Sequence, residues 1–268
     1  MTADEVILSR WAAGEISREI ALAQLLLTGS VPDVAALPEP IAQLARAHAE
    51  RLEPLAALAR QGFDASSAAA TATLFDRLAL TAPEAGVAFY TLGDPELMAA
   101  ATQELVSVIR SWEPVAGRDV LDFGCGTGRV ALALAPEARS IVGVDVSPAM
   151  VTEARFRATA FGTVQFRVSD GRTLPCDDAS CDLALAVDCM PFLVQAGGDA
   201  LDHQIGEFAR VLRPGGALLV FNWSYRGDPE RDVRDAHDLA GRHGFAVVAA
   251  GEAPFAIWDG RGFHLRHL

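Results

Sequence analysis

Acidic residues that close apolar runs are where this chain could do chemistry. The densest group lies at 120–129, Val-Leu-Asp-Phe-Gly-Cys-Gly-Thr-Gly-Arg. Val120 and Leu121 lead into Asp122, and Gly124, Gly126 and Gly128 follow at alternate positions before the helical composition of 130–134. This reads as a strand, a tight glycine turn and a helix. Glycine turns the backbone sharply and lacks the Cβ that would hold a ligand away from it. The amides exposed at the helix start favour anionic or polar groups. Asp145 ends a second apolar run at 140–145, and an acid there can accept two hydrogen bonds from a ribose diol. Asp170 follows a third run, at 164–168, and Asp188 a fourth, at 183–187.

The glycine spacing narrows the ligand. A pyrophosphate turn asks for Gly-x-Gly-x-x-Gly. Here the third glycine comes one place early, and Arg129 stands where the last would be. Asp-x-Gly-x-Gly-x-Gly resembles the first motif of class I S-adenosylmethionine (SAM)-dependent methyltransferases. Asp145-Val146-Ser147-Pro148-Ala149-Met150 resembles the second, Asp170-Gly171 a third, and Val-Leu-Arg-Pro-Gly-Gly at 211–216 the turn before strand five. The resemblance covers about residues 115–268, with its motifs in order.

The resemblance implies SAM as cofactor, S-adenosylhomocysteine (SAH) as product, and a role for each matching residue. Asp122 braces the loop near the methionine ammonium, and Gly124, Cys125, Gly126 and Gly128 let the backbone approach. Asp145 takes the ribose, with Val146 and Met150 beside the adenine. Asp170 accepts from the adenine amino group, and the Gly171 amide meets a ring nitrogen. Asp188 orients the methionine end or acts on the acceptor. Tyr90 stands in a segment, 87–93, that crosses the pocket in many members, and its hydroxyl reaches the methionine carboxylate. Simple packing is an equal alternative for Met150 and Tyr90. The chain departs from the family at Cys176 and Cys181, where an aromatic is usual. It also has Asp188-Cys189-Met190-Pro191-Phe192 in place of Asn/Asp-Pro-Pro-aromatic, which disfavours amide or exocyclic-amine acceptors.

The elements that must position these residues follow from the same pattern. The expectation is an α/β fold, a seven-stranded, mostly parallel Rossmann-like sheet with helices on both faces and a helical N-terminal extension. The domains are expected at 1–110 (helical cap) and 111–268 (SAM-binding). Ser147-Pro148, Asp228-Pro229 and Asp94-Pro95 each read as a helix start. The runs at 244–248 and 262–266 form the closing antiparallel pair. In the N-terminal third, Ile41, Leu44, His48, Leu52 and Leu55 make a helical stripe interrupted at Pro54. Residues 62–73, rich in Ala, Ser and Thr, are expected to be a loop or weak helix.

Composition bounds the function. The 268 residues carry a net charge of −13, and every one of the 22 basic residues is Arg. Without lysine there is no Schiff-base chemistry. The acidic balance argues against a nucleic-acid partner, since phosphate contacts rest on basic side chains. No run of 18 apolar residues indicates a membrane span, and the acid-bearing start lacks a signal peptide's basic region, so a cytoplasmic protein is expected. The four cysteines form no Cys-x-x-Cys or zinc spacing, so free thiols and no metal are expected. The reading is methyl transfer to a small-molecule acceptor. A SAM- or SAH-binding module docking a partner is one alternative, and a dinucleotide-dependent oxidoreductase another. A homodimer through the N-terminal helices is a second use for that segment. No catalytic residue is assigned. Asp188 and Tyr225 are candidate bases, and residues 222–225 candidate substrate contacts.

Overall fold

The computed structural model describes residues 1–62 and 64–268. Their contacts gather into two compact units. The first holds α1 (Ala3–Ala12), α2 (Arg18–Leu27), α3 (Glu39–Ala47) and α4 (Ala49–Arg60), together with Thr81–Glu104 and Phe255–Asp259. The second holds Asp64–Leu80, Leu105–Pro254 and Gly260–Leu268. A single break near residue 110 is therefore not what the contacts follow. Residues 64–80 join the sheet-bearing unit, and a short C-terminal segment joins the helices.

Within the helical unit, the stripe expected to break at Pro54 breaks instead at His48, which ends α3 and starts α4, and Pro54 lies inside α4. Ser17 caps α2, accepting from the Ile20 amide at 3.1 Å, and donates its own proton to the Ile257 carbonyl at 2.7 Å. Tyr90 is buried and stacked on Trp258, with centroids 5.9 Å apart and planes 7° from parallel. These contacts tie Phe255–Asp259 to the helices.

The segment expected to be a loop or weak helix becomes α5 (Ala68–Thr81) from residue 68 onward, and Phe63 lies outside the described residues. Thr71, Leu74 and Leu78 are its buried residues. Their spacing puts them on one helical face, and packing of that face holds a helix whose local sequence is unremarkable. After α6 (Pro83–Val87), α7 (Pro95–Trp112) starts at its Asp94 cap.

The second unit is built on a seven-stranded sheet. It runs through β1 (Asp119–Phe123), α8 (Arg129–Leu134), β2 (Ser140–Asp145), α9 (Pro148–Arg157), β3 (Val164–Val168), β4 (Cys181–Val187) and α10 (Met190–Ala196). It continues through α11 (Ala200–Val211), β5 (Leu212–Phe221), α12 (Pro229–Arg242), β6 (Phe245–Glu252) and β7 (Gly262–His267). The strand order is β3-β2-β1-β4-β5-β7-β6, with β7 antiparallel to both neighbours and the other pairings parallel. Residues 183–186 of β4 are fully buried, as an unbroken apolar run in a parallel sheet requires. The Arg-Pro-Gly-Gly turn does not precede β5 but lies within it. Cys181 pairs with Leu212, Leu183 pairs with Ala217, and the residues between bulge out.

Charges close the amino end of the sheet. Asp119 accepts from Arg139 Nε at 2.8 Å, Arg213 Nη2 at 3.0 Å and the Ser140 hydroxyl at 2.7 Å. Asp182 accepts from Arg213 Nη1 at 2.6 Å and from the Asp119 amide at 2.9 Å. Buried Glu113 meets Arg118 at 2.7 Å, His264 at 3.1 Å and Arg266. Burial pushes the Glu113 carboxyl up, but the guanidiniums of Arg266 and Arg118 outweigh it and leave the pKa lowered.

Candidate functional site

At the other end of the sheet, β1 and β4 are adjacent while the chain winds away from them in opposite directions. A crevice at the carboxyl ends of strands is where such a sheet binds ligands. The glycine loop leaves β1 there. The Gly124 and Cys125 amides both donate to the Val144 carbonyl, at 2.8 and 3.0 Å. Gly124, Gly126 and Gly128 have φ of +69°, +52° and +82°, the left-handed region that disfavours side chains. Two of them also have a packing reason. A Cβ at Gly124 would come 2.5 Å from Cys189 Cβ, and one at Gly128 would come 2.6 Å from the Phe166 ring. The same ring lies 2.4 Å from where a Cβ would stand at Gly143, in the middle of β2.

Two carboxylates brace the loop. Asp122 Oδ2 accepts from the Ala131 amide of α8 at 3.2 Å. Burial pushes its pKa up to about 7, against the Ala131 N–H and the Arg129 charge, while the Asp145 charge adds to the rise. Asp145 Oδ2 accepts from the Gly126 amide at 2.8 Å and Oδ1 from the Ser147 amide at 2.9 Å. Burial raises its pKa too, with these amides opposing. A carboxylate oxygen has two lone pairs, so each can still accept one ligand hydroxyl. Thr127, between Gly126 and Gly128, is fully buried, and its Oγ1 has no hydrogen-bond partner among the described residues. An adenosyl amino acid, rich in donors and acceptors, suits such a set: two positioned acceptors, an unused hydroxyl and a glycine backbone.

On the β3 side, Asp170 is exposed, and its Oδ1 accepts from the Arg172 and Thr173 amides, both at 2.8 Å. These bonds hold its pKa below the usual value. The Gly171 amide donates to Ser169 Oγ at 3.1 Å. Val146 is half-buried beside Gly171, its Cγ1 3.3 Å from where a Cβ would stand there. Met150 is fully buried on α9, in a packing position. Tyr90 belongs to the helical unit, against Trp258.

The ends of β4 and β5 hold a second cluster. Asp188 has φ +56° and Asn222 +72°, unusual for residues other than glycine. Asp188 Oδ1 accepts from Asn222 Nδ2 at 2.6 Å and from the Tyr225 hydroxyl at 2.9 Å. Two strained positions sharing one carboxylate are the kind of feature held at functional sites. Tyr225 is exposed and stands edge-on to Phe192, 6.1 Å between centroids. Sequence reasoning placed Asn222 among substrate contacts but missed its bond to Asp188. The tolerance of Asn and Asp for the left-handed region was the available signal.

All four cysteines are free. Cys189 Sγ donates to the Phe123 carbonyl at 3.1 Å, and burial pushes its pKa well up, so it packs rather than attacks. The Cys181 thiol, hydrogen-bonded to Cys176, brings Cys176 down to about 7, and Cys181 itself is raised. Among the described residues no His, Cys, Asp and Glu cluster could hold a metal, and no helix is long and apolar enough to cross a membrane.

Residues 120–216 match the family model of a methyltransferase domain. The demethylmenaquinone methyltransferase of Tropheryma whipplei is 36% identical over 124 residues, 46% of this chain and 48% of that protein. The chain thus spans about half the length of the curated relatives it matches. The magnesium protoporphyrin IX methyltransferase of Synechocystis PCC 6803, solved with bound SAM, aligns at TM-score 0.50 and 19% identity, covering 63% of this chain and 79% of that one. The cyclase SpnF aligns at TM-score 0.51 and 22% identity, covering 64% and 82%. At such identities the likeness is one of fold, and a fold hosts more than one chemistry.

Proposed function

We propose that this chain, whose residues 120–216 are a class I SAM-dependent methyltransferase domain, moves the SAM methyl group to a nucleophile on a small-molecule acceptor. The observation that carries the reading is Asp145. Its two oxygens are each fixed by one main-chain amide, beside the glycine loop. That arrangement supports a ribose diol bound at the end of β2. Asp122 and Thr127 would face the methionine end, and Val146 and Gly171 the adenine. SAM supplies an electrophilic methyl on a sulfonium, so the protein's share is largely positioning. Asp188, held by Asn222 and Tyr225, would receive or orient a proton-bearing acceptor.

The small-molecule acceptor rests on three supports. The Tropheryma whipplei relative is named for demethylmenaquinone. The chain has a charge of −13 and no lysine, which opposes a polyanionic substrate. Asp-Cys-Met-Pro-Phe at 188–192 departs from the motif of amide and nucleobase methylation. Calorimetric titration with SAM, SAH and NADH tests the cofactor. Micromolar binding of the two adenosyl ligands with none of NADH is expected. NADH binding without SAM binding would overturn the reading in favour of a dinucleotide enzyme.

A further inference from the structure

The adenosine side of the site is held by a helix that no sequence motif marks. α5 belongs to the sheet-bearing unit through residues up to Leu80. Asp76 Oδ1 accepts from the Ser147 hydroxyl at 2.6 Å and from the Ala149 amide at 2.9 Å. Ser147 Oγ in turn accepts from the Met150 amide at 3.0 Å. The first turn of α9 is thereby fully satisfied. Pro148 has no N–H to give, Met150 is capped by Ser147, and Ala149 is capped from another helix by Asp76. The Ser147 amide is the donor that fixes Asp145 Oδ1. Asp76 is thus one residue removed from the ribose acid.

Two more contacts spread α5 across the site. Ala68 Cβ lies 2.4 Å from where a Cβ would stand at Gly171, so the start of α5 touches the loop expected at the adenine. Phe75 stands edge-on to Phe192, with centroids 5.2 Å apart at 80°. One helix therefore touches Ser147, Ala149 and Gly171 on the cofactor side and Phe192 on the acceptor side.

We propose that α5 is a strap over the adenosine end of the cofactor site, that Asp76 latches it through Ser147 and Ala149, and that SAM and SAH pass when the latch releases. The inference rests on the SAM reading above. Asp76 acts through its neighbours and is a positioning residue. Close contact between Ala68 and Gly171 leaves no room for a ring between them, so a ligand entering from this face must displace the helix. The latch itself is two hydrogen bonds, on a helix whose buried residues are Thr71, Leu74 and Leu78.

The test combines SAH association and dissociation rates, measured by surface plasmon resonance on the full chain, with hydrogen exchange across residues 68–81. In Asp76→Ala, exchange in α5 should accelerate about tenfold, and both SAH rate constants should rise by about threefold or more. Asp76→Glu, which keeps the carboxylate, should recover most of the slow dissociation. Ala68→Leu pries the helix start from Gly171 without touching the latch and should also speed dissociation. A merely structural Asp76 would lower the melting temperature and leave both rate constants unchanged, and that result overturns the strap. SAH association unchanged with affinity lost would also overturn it, leaving Asp76 as a support for Asp145 alone. Absence of SAH binding by the unaltered protein would overturn the methyltransferase reading and the strap with it, whereas normal binding with unchanged rates removes only the strap.

Discussion

Asp119 and Asp122 stand three residues apart on β1, and the two ends of the sheet treat them in opposite ways. At the amino end, hydrogen bonds from Arg139 pull the Asp119 carboxyl far below its usual range, with Ser140 and Arg213 helping against burial. Burial alone would raise its neighbour Asp182, but the Asp119 amide and Arg213 bring it below the usual value. At the carboxyl end, burial dominates. Asp122 rises to about 7 and Asp145 rises as well, each held by main-chain N–H groups. Arginine pairing makes the first pair of acids comfortable, and they serve the fold. The second pair braces the glycine loop at an electrostatic cost, and the proposed cofactor role of these acids rests on that contrast.

This contrast can be broken or sharpened by substitution. The largest effect is expected from Gly126→Val. A β-branched residue at φ +52° is strained, so calorimetry should find no SAH binding in protein that keeps its far-ultraviolet circular dichroism. Next is Asp145→Ala, which should weaken SAH by about 1–3 kcal/mol, the usual loss for a buried hydrogen-bond partner. Normal affinity there would sink the ribose assignment.

The pH dependence of stability probes the same contrast without a ligand. Above its ordinary pKa of 3.8 an unfolded Asp122 ionises, while the folded group stays neutral until about 7. Its contribution therefore falls as pH rises through that window and levels off above it. Denaturant melts of Asp122→Asn and the unaltered chain should diverge between these values, with a slope of up to about 1.4 kcal/mol per pH unit. A constant difference would mean that Asp122 is ionised throughout. The acids of the amino end carry the opposite sign: their stabilisation is present above the usual carboxylate range and is lost as pH falls below it. The smallest effect is expected from Asp119→Ala. Arg139 is 57% exposed and Arg213 37%, so solvent screening limits the loss to about 1 kcal/mol, with SAH affinity unchanged. If Asp119→Ala weakened SAH as Asp145→Ala does, the division between the two ends would fail.

How much of this was legible in the sequence depends on how local each feature is. The glycine loop, Asp145 and the Ser147 cap lie in short contiguous motifs, and the structure places them at adjoining strand ends as their order implies. The reversed last strand is what the family resemblance implies, and β7 runs antiparallel to both neighbours. Asp76 is different. Nothing in residues 62–73 signals that the helix beyond them will cap α9 from outside, because the bond joins positions 71 residues apart. A trace was present in Thr71, Leu74 and Leu78, whose spacing is helical, but the Ala- and Thr-rich stretch around them weakens the pattern. His48 in place of Pro54 as the helix break shows the converse. Pro54 lies inside α4 although it removes the amide that would bond the Glu50 carbonyl. The pairing of Asp188 with Asn222 and Tyr225 was out of reach for the same reason as Asp76: the parallel register of β4 against β5 brings them together, not their sequence neighbourhood.

The Phe166 ring fills the space that side chains would need at both Gly128 and Gly143. Three sites on three different elements are therefore bound into one inheritance. A lineage that shrinks Phe166 relieves the crowding at both glycines, though φ +82° still penalises any side chain at 128. A lineage that first acquires alanine at 143 must displace the ring. The order of mutational steps is thus constrained, and homologues should show aromatic 166 only alongside glycine at 143.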